Sequence, residues 1–229
     1  LSNPAGTAMT VTLSNGAEIT IAKGASEGEV TVKAPADDVY IDAEKLSVTV
    51  KETTGGDFEN VSIVGSPAVT QVTDTIDPTN VTLTASTNSV VEGGTITYTV
   101  TADSKVTETP LVVKLANGQT VVIPVGETTA SIDYKAPNNV YNTNAPLTNS
   151  ITGTSGGNFE QVVPKGTTTT TVTDGPGTVD TTKLTLSAPE TVAEGGTITY
   201  KVTLSNPAGT AMTVTLSNGA QITIAKGSS

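Results

Sequence analysis

Apolar residues in this chain seldom stand together; they alternate with Thr and Ser in short runs separated by Gly, Asn and Pro. Met9, Val11 and Leu13 alternate, Asn15-Gly16 interrupts them, and Ile19 and Ile21 resume the pattern. Period two sends successive side chains to opposite faces of a strand, and Asn-Gly between two such runs marks a hairpin. The same turn recurs at Asn117-Gly118 and Asn218-Gly219. Val30 and Val32 predict another strand, ended by Pro35, and Ala34 to Asp42 reads as a loop. Leu46, Val48 and Val50 predict the next strand. After a Gly55-Gly56 loop, Val69 to Thr73 reads as a last strand running into the linker Asp74-Thr75-Ile76-Asp77-Pro78.

From Val81 the pattern yields seven strands in about 100 residues. They lie at Val81 to Ala85, Ile96 to Val100, Leu111 to Leu115, Val121 to Val125, Thr128 to Tyr134, Leu147 to Thr152 and Thr167 to Thr173. Seven short alternating strands with turn signals about every 8 to 12 residues predict an all-β chain of immunoglobulin-like β-sandwiches. No segment carries a useful helical period.

The pattern also repeats. Glu-Gly-Gly-Thr-Ile-Thr-Tyr stands at Glu92 to Tyr98 and again at Glu194 to Tyr200, 102 positions on. Lys-Ala-Pro at Lys33 to Pro35 returns at the same spacing, at Lys135 to Pro137. Gly55 to Glu59 returns as Gly156 to Glu160, and Leu1 to Gly24 returns as Leu204 to Gly227 with only Glu18 changed, to Gln221. A period near 100 suits whole small domains in series; solenoid units are about 20 to 50 residues long. The expected division is a partial repeat at 1–77 lacking its first strands, a complete repeat at 78–180, and the first half of another at 181–229. The first residue falls inside a repeat, so the chain reads as a piece of a longer protein.

Composition changes this picture in two ways. There is no Cys, no Trp and only two Phe, so the cores must be built from Val, Ile, Leu and Ala. A small domain with a thin core and no disulfide needs another staple, and a bound metal is the obvious one. All eleven basic residues are Lys and they face twenty-two carboxylates, for a net charge of -11. That balance argues against a nucleic-acid partner, which requires a basic surface. The acidity serves either solubility or cation binding. No apolar run approaches the roughly 18 residues of a membrane span, and no signal peptide opens the chain.

Several side chains stand out. Tyr40 and Tyr141 precede the sixth strand of their units, where sandwiches place a corner tyrosine with a structural hydroxyl hydrogen bond. Phe58 and Phe159, after paired glycines, read as plugs closing one end of the sandwich. Glu59 and Glu160 beside them read as solvated loop charges rather than ligands. In a seven-stranded sandwich the loops leading into the second, fourth and sixth strands meet the exit linker at one pole. That gathers Asp37, Asp38, Asp42, Asp74 and Asp77 in the first unit. In the complete unit it gathers Glu92, the loop Asn138-Asn139-Val140-Tyr141-Asn142, and Asp174, with Asp180 following. Clustered oxygens from several loops suit a hard cation, and Ca2+, which takes six to eight oxygens in flexible geometry, fits better than Mg2+. The expected cofactor is interdomain calcium held by Asp37, Asp38, Asp42, Asp74, Asp77, Glu92, Asp174 and Asp180. Asn138 and Asn139 replace Asp37 and Asp38, so the middle site is expected to be the weaker.

Glu-Gly-Gly-Thr-Ile-Thr-Tyr, Leu-Ser-Asn-Pro-Ala-Gly-Thr, Ala-Asp-Asp-Val-Tyr-Ile-Asp, Thr-Gly-Gly-Asp-Phe-Glu and the Thr-Asp-Thr-Ile-Asp linker together carry a resemblance that covers essentially the whole chain. It resembles the extender repeats of giant RTX-type bacterial adhesins exported by type I secretion, biofilm adhesins of pseudomonads among them. The resemblance implies an extracellular, cell-surface stalk, stiffened by calcium, that carries adhesive tip domains outward. The linker Gly175-Pro176-Gly177 departs from that pattern, as do the two asparagines.

Three classes of function remain in view. A stalk needs only neighbouring repeats of the same chain as partners. A ligand-binding module would recognise a sugar or host surface through polar loops, but such contacts favour exposed Tyr and Trp. An enzyme without His or Cys would need a carboxylate pair or a Lys-activated hydroxyl, and no motif supports either. The incomplete end repeats are either a crop of a longer chain or halves that complement one another between molecules by strand addition.

Overall fold

The computed structural model describes residues 1–65, 67–142, 145–175 and 180–229, and every one of its elements is a strand. The first unit contributes β1 (Met9–Leu13), β2 (Glu18–Ile21), β3 (Lys45–Val48), β4 (Val50–Gly55) and β5 (Ala68–Gln71). β1 pairs antiparallel with both β2 and β4, and β3 pairs with β5. The Asn15-Gly16 hairpin is as expected: Gly16 takes φ 83°, where a side chain would strain the backbone.

The middle unit holds β6 (Pro78–Ala85), β7 (Ser89–Val91), β8 (Thr95–Ala102), β9 (Leu111–Leu115), β10 (Thr120–Ile123), β11 (Thr129–Lys135), β12 (Ala145–Ser155), β13 (Gln161–Lys165) and β14 (Thr167–Thr173). They form two sheets, β10-β9-β12-β14-β7 and β11-β8-β6-β13. Alternation decides which face is buried. Val81, Leu83, Ile96, Tyr98 and Val100 of one sheet meet Leu111, Val113, Leu115, Val121 and Ile123 of the other, all at most 3% exposed. The Thr and Ser between them stay outside, where Thr99 meets Ser131 and Thr97 bonds Asp133 across β8 and β11. All seven predicted strands are present. The two additions, β7 and β13, pair in parallel with β14 and β6.

The third unit shows β15 (Leu184–Ser187) on β16 (Lys201–Leu204), and β17 (Met212–Thr215) on β18 (Gln221–Ile224). Two expectations change here and in the first unit. Val30 and Val32 form no strand and are 39% and 54% exposed. Ile198 and Tyr200 likewise lie outside β16. Their counterparts in the middle unit pair with each other as β11 and β8. Neither end unit contains both members of that pair, and an extended segment without a partner has no ladder bonds to hold it. The expected strand around Leu46 to Val50 is also split. β3 joins one sheet and β4 another, whereas the corresponding β12 stays continuous and absorbs the change in a bulge between Ile151 and Gly153.

Candidate functional site: the joints between repeats

Each joint begins as an Asx turn. In the first unit Asp38 accepts the Tyr40 backbone N–H at 2.8 Å, and in the middle unit Asn139 accepts that of Tyr141 at 2.9 Å. The turn projects the tyrosine away from its own sandwich. Tyr40 donates its hydroxyl to the Lys105 carbonyl at 2.8 Å and Tyr141 donates to the Pro207 carbonyl at 2.9 Å. The expected structural hydrogen bond exists, but each acceptor belongs to the following unit. These tyrosines therefore join domains and do not brace a corner within one.

Tyr40 also stacks on Phe159, with centroids 5.6 Å apart and planes at 23°. Backbone bonds flank the stack: Ile41 N–H donates to the Asn158 carbonyl at 3.1 Å, and Glu160 N–H donates to the Val39 carbonyl at 3.0 Å. Phe159 is 6% exposed and belongs to the core, so it plugs the sandwich as expected while serving as the platform for Tyr40. Glu160 departs from its expected role as a solvated charge. Its Oε2 accepts the Asp77 backbone N–H at 2.7 Å and so fastens the linker to the unit that follows it.

The carboxylates collect in two clefts, the second of them lined by Tyr141 as well. Asp37, Asp42, Glu44 and Asp74 line one of about 280 Å³ in the first unit. Asp74 Oδ2 accepts the backbone N–H groups of Asp42 and Ala43 at 3.2 and 3.1 Å, and Thr75 donates its hydroxyl to Asp37. Glu92, Asp174 and Asp180 line the other, about 210 Å³, with Asn139 and Asn142. There Glu92 Oε1 accepts the Asn139 backbone N–H at 3.2 Å and also its side-chain amide.

Of the eight expected ligands, six thus fall in the two clefts. Asp38 is occupied as the cap of Tyr40, and Asp77 lies outside at the start of β6. Glu44 lines the first cleft and was not among the expected residues; its place in the same loop as Asp42 was the available signal. Among the described residues no three carboxylates converge closely enough to form a ready-made metal cluster. The first cleft is nonetheless electrostatically crowded. Asp42 is held above its ordinary 3.8 by loss of surrounding water, then by the charges of Asp38 and Asp74, a hydrogen bond with Asp74, and the charge of Glu44. The expected linker departure at Gly175-Pro176-Gly177 falls largely outside the described residues.

The second joint has the same tyrosine but a different floor. Tyr141 lies over Gly209, where an added Cβ would come within 2.8 Å of its ring. Around it an open apolar cleft of about 820 Å³ is lined by Leu184, Leu204, Ala208 and Met212.

No curated protein matches the chain. A family model described as the LapA domain matches residues 1–75, 77–175 and 180–229. The three matches fall on the three units separated by the two joints. Together they take in nearly the whole sequence, and the chain belongs to the LapA domain family, that of the large adhesion protein of pseudomonads.

Proposed function

We propose that the chain is an extender segment of a biofilm adhesin at a bacterial cell surface, with calcium stiffening the joints between its repeats. The family is one of biofilm adhesin domains, which supports the adhesin setting. The observation that carries the extender reading is the joint itself. A tyrosine from one unit enters the next at both boundaries, and the repeats are so strung that each can fix the direction of its neighbour. Export by the type I route and a place among RTX adhesins belong to the same reading, on the strength of the motifs alone.

The donor set fits a hard cation. The clefts offer carboxylate and amide oxygens and no nitrogen or sulfur ligand, which suits Ca2+ over a transition metal. Asp37, Asp42, Glu44 and Asp74 would hold it in the first unit, and Glu92, Asp174 and Asp180 with Asn139 or Asn142 in the middle one. Asp74 and Asp174 open the exit linkers, so a shared ion would tie each linker to the sandwich it leaves. It would supply the positive charge that offsets the crowding around Asp42. The first cleft has four carboxylates and the second three, which makes the first the tighter site.

Small-angle X-ray scattering of the full chain in calcium, magnesium and chelator tests the proposal. A particle that lengthens and narrows in calcium but not in magnesium supports it. A profile indifferent to calcium removes the stiffening role.

A further inference from the structure

The Gly156-Gly157-Asn158-Phe159 turn that receives Tyr40 has a twin in the first unit, Gly55-Gly56-Asp57-Phe58. Their backbones agree closely. φ is 80°, 87° and 55° at Gly156, Gly157 and Asn158, and 78°, 87° and 55° at Gly55, Gly56 and Asp57. In each, the second glycine lies against the phenylalanine ring, which an added Cβ would meet at 3.0 Å at Gly157 and 2.9 Å at Gly56. The acceptor position is duplicated too. Lys105 and Pro207 stand at equivalent places in their repeats, and Pro4 is the counterpart in the first unit.

What differs is occupancy. Phe159 lies under Tyr40 and is 6% exposed, while Phe58 is only partly buried and no described tyrosine stacks on it. The backbone groups tell the same story. In the occupied turn the Asn158 carbonyl, the Glu160 N–H and the Lys105 carbonyl all bond to the incoming loop. Their counterparts, the Asp57 carbonyl, the Glu59 N–H and the Pro4 carbonyl, make no hydrogen bond among the described residues. Three polar groups at the equivalent positions, beside a half-buried aromatic ring, form a half-made contact.

We propose that Gly55 to Glu59 and the Pro4 carbonyl form a receiving socket, and that its partner is the Val-Tyr loop of another repeat of this kind. The ring of that tyrosine stacks on Phe58, its hydroxyl donates to the Pro4 carbonyl, and the backbone on either side pairs with Asp57 and Glu59. The inference rests on the extender reading, in which the Val-Tyr loop of one repeat meets the Gly-Gly-x-Phe turn of the next, as Tyr40 meets Phe159. Asp57 replaces Asn158, whose Nδ2 reaches the Ile41 carbonyl at 3.4 Å. A carboxylate cannot make that bond and repels acidic neighbours, so the neutral loop Asn138-Asn139-Val140-Tyr141 is the better probe than its acidic counterpart.

The test fuses a copy of Ala136 to Asn142 ahead of Leu1 of the full chain through a flexible Gly/Ser linker. About ten linker residues span roughly 17 Å and hold the loop at millimolar effective concentration. Amide resonances of Gly6, Asp57, Phe58 and Glu59 are compared with those of the chain without the fusion. The expected result is a shift of all four, lost when the fused loop carries Tyr141→Ala. Resonances left where the unfused chain has them overturn the proposal, as does an equal shift from the Tyr141→Ala loop. The control change lies outside the folded chain, so misfolding cannot imitate either outcome. If calcium lengthens the particle in scattering but the fused loop leaves these amides unmoved, the socket fails and the extender reading stands.

Discussion

Removing the Tyr40 side chain is expected to open the first joint while leaving the middle sandwich intact. Tyr40 contributes a neutral hydrogen bond at a partly exposed site, about 0.5–1 kcal/mol, and a stacked aromatic pair, about 0.5–1.5 kcal/mol beyond area burial. Loss of its partly buried ring surface brings Tyr40→Ala to about 2–3 kcal/mol, or roughly a 30- to 150-fold fall in the ratio of docked to undocked joint. Tyr40→Phe keeps the stack on Phe159 and loses only the bond to the Lys105 carbonyl, so the same ratio falls about two- to fivefold. Amide hydrogen exchange in chelator reads this directly, because the Glu160 N–H is protected by the Val39 carbonyl only when the units are docked. Glu160 exchange is expected to quicken by those factors in the two variants. Amides of Leu83 and Val100 in the core are expected to keep their rates. Unchanged exchange at Glu160 in Tyr40→Ala, or equal acceleration in the core, would refute the claim that this tyrosine holds the joint.

The remaining predictions concern charge, shape and association. Asp42 has a raised pKa, so its contribution to stability is complete below its ordinary value of 3.8 and is lost as pH rises through the folded value. Asp42→Asn is therefore expected to raise the melting temperature slightly at pH 7 in chelator, to make no difference near about pH 3, and to reduce the gain that calcium brings. An unchanged melting temperature at pH 7 would show that the crowding is fully screened by water. Gly209→Ala is expected to displace the Tyr141 ring and increase its quenching by acrylamide; an unaltered quenching constant would mean that the ring does not rest there. Gly157→Ala forces a Cβ onto a residue at φ 87° and against Phe159, and is expected to cost the middle unit about 1–3 kcal/mol in denaturant unfolding. Leu1–Gly24 and Leu204–Gly227 supply the same hairpin, so joining the two end units between molecules would place two copies in one sandwich. Sedimentation is expected to give a monomer independent of concentration, and a dimer that grows with concentration would restore strand complementation.

Alternation made the middle sandwich readable because its core strands bury one face more deeply than the other, as in β6 and β8, where buried residues alternate with half-buried or exposed ones. β7 and β13 escaped because each is short and pairs in parallel with a distant segment, a partnership that period two does not reveal. Val30 and Val32 misled for the opposite reason. The pattern of a strand was there, but no described segment pairs with it. The clefts were partly legible: loop counting brought Asp37, Asp42 and Asp74 together, and Glu92 with Asp174 and Asp180. The tyrosine joints were legible only as conspicuous residues. Their acceptors are backbone carbonyls of Lys105 and Pro207, and a carbonyl leaves no mark in sequence, since two quite different side chains stand at the same position. Asp38 illustrates the same limit, for its carboxylate is spent on capping the turn that aims Tyr40.

In the proposed stalk these joints fix one repeat relative to the next, and calcium tightens them. Residual dipolar couplings measured on the full chain, for amides of the first and middle units in calcium and in chelator, test both properties. The expected result is a single alignment tensor for both units in calcium, and in chelator a weaker tensor for the first unit than for the middle one. Two independent tensors in calcium, or the same pair of tensors in both conditions, would contradict it.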